Sequence, residues 1–180
     1  MSGGLPYKVP MSDTLGYLHD NIGITITGEA AHAHSELVLP TGHGIEIVGW
    51  HEEHTDGSHM GSSVFLDGQP IWQKTKHRIT GWEREHGFIP GPPAYLAEVG
   101  GLRILVLICK EILHPEDWWD QVPADLAVHQ VGFPMFDRHQ ANGWRALHRA
   151  LALHIGGPVL VQVHGEVDDP DTRISGVVGL

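Results

Sequence analysis

The chain has 180 residues, 41% of them hydrophobic and 18% charged, which suits a single globular domain and excludes wholesale disorder. Its formal net charge of −11, with only 11 lysines and arginines, argues against nucleic acid or an anionic membrane surface as a partner. A single cysteine excludes an internal disulfide and a four-cysteine zinc cage.

The N-terminus has no apolar core of signal-peptide length, and the longest aliphatic stretch is far below the roughly 20 residues of a membrane helix, so a soluble protein is expected, while the lone cysteine agrees with a reducing compartment and a cytoplasmic location. Residues 22–27 (IGITIT) alternate as a strand does, and residues 45–49 (IEIVG) are β-branched and bounded by glycine. Between them, the Ala- and His-rich residues 29–39 are compatible with a helix ending near Pro40. Residues 61–66, the pair Asp67-Gly68 and residues 69–73 read as strand, tight turn and strand, which puts Lys74 at a strand end.

The glycines and prolines of residues 80–93 predict a loop, a common home for chemistry. After Gly100-Gly101, residues 102–108 (LRILVLI) form an almost continuous aliphatic run, the mark of a strand covered on both faces, and Cys109 follows at once. Helical spacing is predicted around residues 115–121 and over 141–154, with strands at 126–131 and 158–163. This order predicts an α/β layered sandwich with mixed sheets and one domain over residues 1–180.

The most specific segment is residues 107–116 (LICKEILHPE), in which a buried strand runs into a cysteine and then into a helix opened by Pro115. A thiol near helix-terminal N–H groups is expected to ionise more readily than a free one, and those N–H groups can also receive a developing oxyanion. The segment resembles the nucleophile motif of the nitrilase superfamily of carbon–nitrogen hydrolases through Cys109, Glu111, Pro115 and Glu116, although Lys110 stands where an aromatic is commoner. Asp67-Gly68 with Lys74-Thr75, the stretch from Trp82-Glu83 to Gly91, and residues 124–127, 144–150, 159–163 and 175–179 extend the resemblance.

What the resemblance implies is a nitrilase-like α-β-β-α sandwich, possibly incomplete. It also implies a Glu-Lys-Cys triad that hydrolyses an amide or carbamoyl compound, less readily a nitrile, through a thioester on Cys109. Lys74 takes the part of the cation and Glu83 orients it. The family's first glutamate normally follows a proline upstream, and no Pro-Glu precedes Lys74, so either Glu29 fills that role or the chain begins after it. Truncation at both ends is accordingly an expectation, as is a homo-oligomer, and no cofactor is implied.

Blander readings stand beside these. A lone cysteine after an aliphatic strand is ordinarily a small buried hydrophobe, and Lys74 and Lys76, which share a strand face, can be solvated ends of an edge strand. The 15 histidines include His32, His34, His51 and His54, but no HExxH is present, and a metal site is not expected. A catalytically inactive remnant that binds a ligand or partner remains the alternative function.

Overall fold

A computed structural model of the protein describes residues 14–19, 22–29, 32–33, 43–121, 123–166 and 169–179. Among the described residues, eleven strands form two sheets. The first contains β1 (Thr14–His19), β2 (Ile22–Thr27), β3 (His32–Ala33), β4 (Ile45–His54), β5 (Gly57–Leu66) and β6 (Gln69–Thr75), in the order β1-β2-β4-β5-β6 with β3 beside β4. The second contains β7 (Leu96–Val99), β8 (Leu102–Ile108), β9 (Leu126–Val131), β10 (Val159–Val163) and β11 (Gly176–Val178), in the order β11-β10-β9-β8-β7. Helices α1 (Gly81–Glu85), α2 (Pro115–Trp118) and α3 (Arg138–Ile155) complete the description with 3-10 turns at Cys109–Leu113 and Trp119–Gln121.

The sheets pack face to face. Ile24, Ile26, Ile45, Ile47 and Val64 of the first meet Ile104, Val106, Leu126, Val128 and Leu160 of the second in one apolar layer. The alternate residues Leu105, Leu107, Ala127 and Val161 face the other way, where Leu151, Ala152 and Ile155 of α3 cover them. Residues 102–108 are therefore a nearly continuous aliphatic run, and every residue of 126–131 is buried, because both faces of those strands are covered.

Two sequence expectations change. Residues 80–93 hold the short helix α1, opened by a capping box in which Thr80 accepts from the Glu83 N–H while Glu83 accepts from the Thr80 N–H. The predicted helix at residues 29–39 falls mostly outside the described residues; His32–Ala33, within it, pairs with β4 as strand. Among the described residues, α3 is the one helix longer than five residues, so the helical layer seen lies on the second sheet. No helix among them is long and apolar enough to cross a membrane.

β2, β4 and β6 run in one direction, as do β8, β9 and β10. The carboxyl ends of β2, β8, β9 and β10 meet at one edge of the sandwich: Glu29 N–H donates to the Val131 carbonyl at 3.4 Å, and His164 N–H to the same carbonyl at 2.8 Å. Glycines permit this convergence. A Cβ at Gly49 would lie 2.1 Å from the Gly28 carbonyl oxygen, and one at Gly28 2.7 Å from the His164 nitrogen. Gly49→Ala is expected to cost roughly 1–3 kcal/mol by forcing β2 from β4, read as a lower urea midpoint at unchanged slope.

Candidate active site

Cys109 ends β8 and opens a 3-10 turn with φ +46°, a left-handed conformation that a side chain rarely adopts. Such an elbow brings the thiol off the strand end and leaves the N–H groups of the next turn without intrahelical acceptors. The thiol is 3% exposed, and the Gly132 backbone N–H donates toward it.

Lys76, one residue past β6, is wholly buried. Its Nζ donates to Glu29 Oε1 and to Glu83 Oε1, both at 2.5 Å. Its backbone is pinned on both sides, with its N–H on the Met60 carbonyl and its carbonyl accepting from Gly91 N–H, each at 2.8 Å. Glu83 turns its second oxygen to the Thr80 N–H at 2.5 Å, so the cap of α1 also aims the carboxylate at the ammonium. Glu29 turns its second oxygen toward Gly132, where a Cβ would come within 2.7 Å of it.

These four groups share one field. Burial depresses the Lys76 ammonium, but the negative charges of Glu29 and Glu83 oppose that and hold the group above the ordinary lysine range. Burial pushes the Glu29 carboxyl up, Lys76 opposes it, and Glu83 adds to the rise. Burial likewise pushes the Cys109 thiol up to about 12, with Glu29 and Glu83 raising it and Lys76 and the Gly132 N–H lowering it. Against the easily ionised thiol expected from the helix terminus stand a short turn and a dry site that already holds two carboxylates.

Lys74 lies elsewhere. Its Nζ donates to Glu111 Oε2 at 2.6 Å and to the Val106 carbonyl at 3.4 Å, and it sits 4.1 Å from the centre of the Tyr95 ring. Glu111 also accepts from His77 N–H at 2.7 Å and Ile108 N–H at 2.8 Å, so this pair ties the end of β6 to the elbow from outside the cluster. The sequence expectation that Lys74 faces the thiol with Glu83 is thus corrected. Both lysines turn inward as their spacing requires, and the partner carboxylates, which spacing does not reveal, separate them.

Glu29 and Glu83 do lie with Cys109, as the sequence reading allowed, and a carboxylate therefore occupies the end of β2 within the described chain. Lys76 was weighed beside Lys74 but not chosen, and Gly132 was missed. The Thr80-x-x-Glu83 capping signature was a legible sign that Glu83 is anchored. Among the described residues, the one cluster with metal-ligand spacing is His114, Glu116 and Asp117, and Arg78 already pairs with Asp117 there at 2.5 and 2.6 Å.

Known structures share this architecture. A carbon–nitrogen hydrolase from Helicobacter pylori superposes with TM-score 0.63 at 18% identity, over 76% of this chain and 55% of that one. The fold is that of the carbon–nitrogen hydrolases. An amidase of the nitrilase superfamily from Nesterenkonia matches with TM-score 0.59 at 18% identity, over 75% of this chain and 53% of that one. A CN-hydrolase superfamily protein from Xanthomonas campestris, with an arsenic adduct in its active site, matches with TM-score 0.59 at 16% identity, over 75% and 54%. No protein-family model and no curated protein matches by sequence. The likeness is one of fold, and the chain spans about half the length of these solved relatives.

Two outcomes follow from this geometry. Lys74→Ala, which strands the buried Glu111 carboxylate, is expected to cost about 3–5 kcal/mol, measured by urea denaturation. Alkylation of native Cys109 by iodoacetamide is expected to stay slow beyond the pH at which a free thiol reacts, because thiolate fraction controls the rate. Glu29→Gln removes a negative neighbour and moves that pH profile down, whereas Lys76→Ala removes a positive one and moves it up. An ordinary free-thiol profile in the native protein would contradict the described field.

Proposed function

We propose that the protein is a cysteine-dependent hydrolase of a non-peptide carbon–nitrogen bond, acting on linear amides or carbamoyl compounds in preference to nitriles. The observation that carries this reading is a thiol on a left-handed strand-to-turn elbow beside a buried lysine held between two carboxylates. A structural cysteine needs none of that apparatus. Structures of the Nesterenkonia amidase that carry the acetamide moiety of fluoroacetamide on the active-site cysteine support the reading by analogy of fold.

In this reading Glu29, whose affinity for protons burial raises, takes the Cys109 proton as sulfur attacks the amide carbon. A neutral thiol is the expected resting form, so attack and proton transfer occur together. The oxygen of the tetrahedral adduct takes up negative charge, which the Lys76 ammonium and the N–H groups of the elbow turn offset in a dry site. Glu29 then gives its proton to the leaving nitrogen, the C–N bond breaks, and an acyl thioester remains on Cys109. Water attacks the thioester with Glu29 again taking a proton; the acid leaves and the thiol is restored.

Glu83 does not touch the reacting atoms. It positions Lys76, so Lys76 takes the part first expected of Lys74. The alternative, an inactive remnant that binds a ligand, draws on the length of the chain relative to its solved relatives.

Short linear amides incubated with the protein and quenched in acid are expected to leave one acyl mass increment on Cys109, located by peptide mass spectrometry, with release of ammonia. Glu29→Gln is expected to lower turnover by about 10²–10⁴-fold, the usual worth of a positioned acid–base group. Neither adduct nor ammonia from amides, carbamoyl compounds and nitriles would favour the binding-protein reading.

A further inference from the structure

Two histidines next to the nucleophile are not used by the proposed chemistry. His129 on β9 and His148 on α3 are both wholly buried. His129 Nε2 is 2.9 Å from the Cys109 carbonyl oxygen, and His129 Nδ1 is 2.8 Å from His148 Nε2. Trp144 stacks on the His129 ring, with centroids 5.2 Å apart and planes 19° from parallel.

Chemistry fixes the protons in this row. A carbonyl oxygen can only accept, so His129 Nε2 carries the hydrogen. Burial pushes His129 down to about 4 and His148 down to about 2, so both rings are neutral at neutral pH. In a neutral imidazole the other nitrogen is an acceptor, so His129 Nδ1 receives the hydrogen of His148 Nε2. His148 Nδ1 is then the bare end of the chain, and it is indeed a buried atom without a partner. The row has one direction, from α3 through β9 to the elbow.

The Cys109 carbonyl shares a rigid trans peptide with the Lys110 N–H, and the two point in opposite directions. Whatever holds the carbonyl therefore aims the N–H. That N–H lies in the first turn after the nucleophile, where the helix supplies no acceptor, and at a left-handed elbow the peptide plane is not set by neighbouring strand pairing.

We propose that His129 and His148 are positioning residues of the nucleophile elbow: a one-way hydrogen-bond row from α3 holds the Cys109 carbonyl and so aims the Lys110 N–H at the oxygen of the reacting amide. The inference rests on the hydrolase reading for its catalytic consequence and on the row itself for its structural content.

The test compares His129→Leu, which removes the donor, with His129→Gln, which keeps an N–H at the end of a side chain of similar reach. Steady-state hydrolysis is measured alongside the ring-nitrogen NMR signals of the wild-type histidines. His129→Leu is expected to lower kcat by about 10²-fold, the scale of one lost oxyanion donor, with KM little changed, and His129→Gln to recover most of the loss. A general loosening of the core would not be rescued by Gln. The wild-type rings are expected to be neutral and protonated on Nε2.

Equal kcat in wild type and both variants would overturn the proposal, as would His129 protonated on Nδ1 or on both nitrogens. If His129→Leu does not fold, those wild-type signals decide. If the wild type hydrolyses no amide, the hydrolase reading fails on its own. The row is then judged by the same signals and by the iodoacetamide rate at Cys109, which an unaltered value in His129→Leu would count as refuting.

Discussion

The buried Lys76 ammonium is the constraint on which the site depends. A charge with no access to water is tolerated only when it is paired and its protons are engaged, and here two carboxylates at 2.5 Å satisfy it. Those carboxylates come from the end of β2 and from α1, while the lysine comes from the end of β6, so the ion cluster holds three separated segments against one another. Burial is the main reason that the neighbouring thiol stays protonated and that Glu29 has a raised affinity for protons; the second carboxylate adds to both rises and the ammonium opposes them. Burial and ion pairing together thus account for the packing of the strand ends and for the acid–base character of the cluster.

The elbow that carries the thiol is held from two other sides. Glu111 gathers the Lys74 ammonium and the N–H groups of His77 and Ile108, fastening the start of the turn to the first sheet. From the second sheet His129 holds the Cys109 carbonyl. A non-glycine residue at φ +46° is of higher energy than its neighbours and persists only where its surroundings over-determine it. These two anchorages supply that determination, and both are buried, where hydrogen bonds resist competition from water.

Similarity to carbon–nitrogen hydrolases resides in the fold and not in the sequence, at 16–18% identity among the solved structures compared. Aliphatic strand positions can be exchanged freely provided the core volume and pattern persist, so architecture outlasts sequence. The groups at the strand ends are constrained by charge and direction instead.

Much of the fold was legible in the chain. The Asp67-Gly68 turn, the aliphatic run ending at Cys109, the strands at residues 126–131 and 158–163 and the helix over residues 141–154 follow from local patterns, because turn residues and hydrophobic period are properties of adjacent positions. Cys109 stood out for the same reason, since strand, cysteine and Pro115 are contiguous. Glu83 carried a local sign in its capping box. Lys74 and Lys76, by contrast, are equivalent to any local rule: they are two residues apart on one strand face. Only the meeting of distant strands decides that Glu111 takes the first while Glu29 and Glu83 take the second. The sequence alone determined which elements form and which residue is the nucleophile candidate; tertiary structure decided which charges meet, because ion pairing depends on distances of a few ångströms between segments that the chain keeps dozens of residues apart.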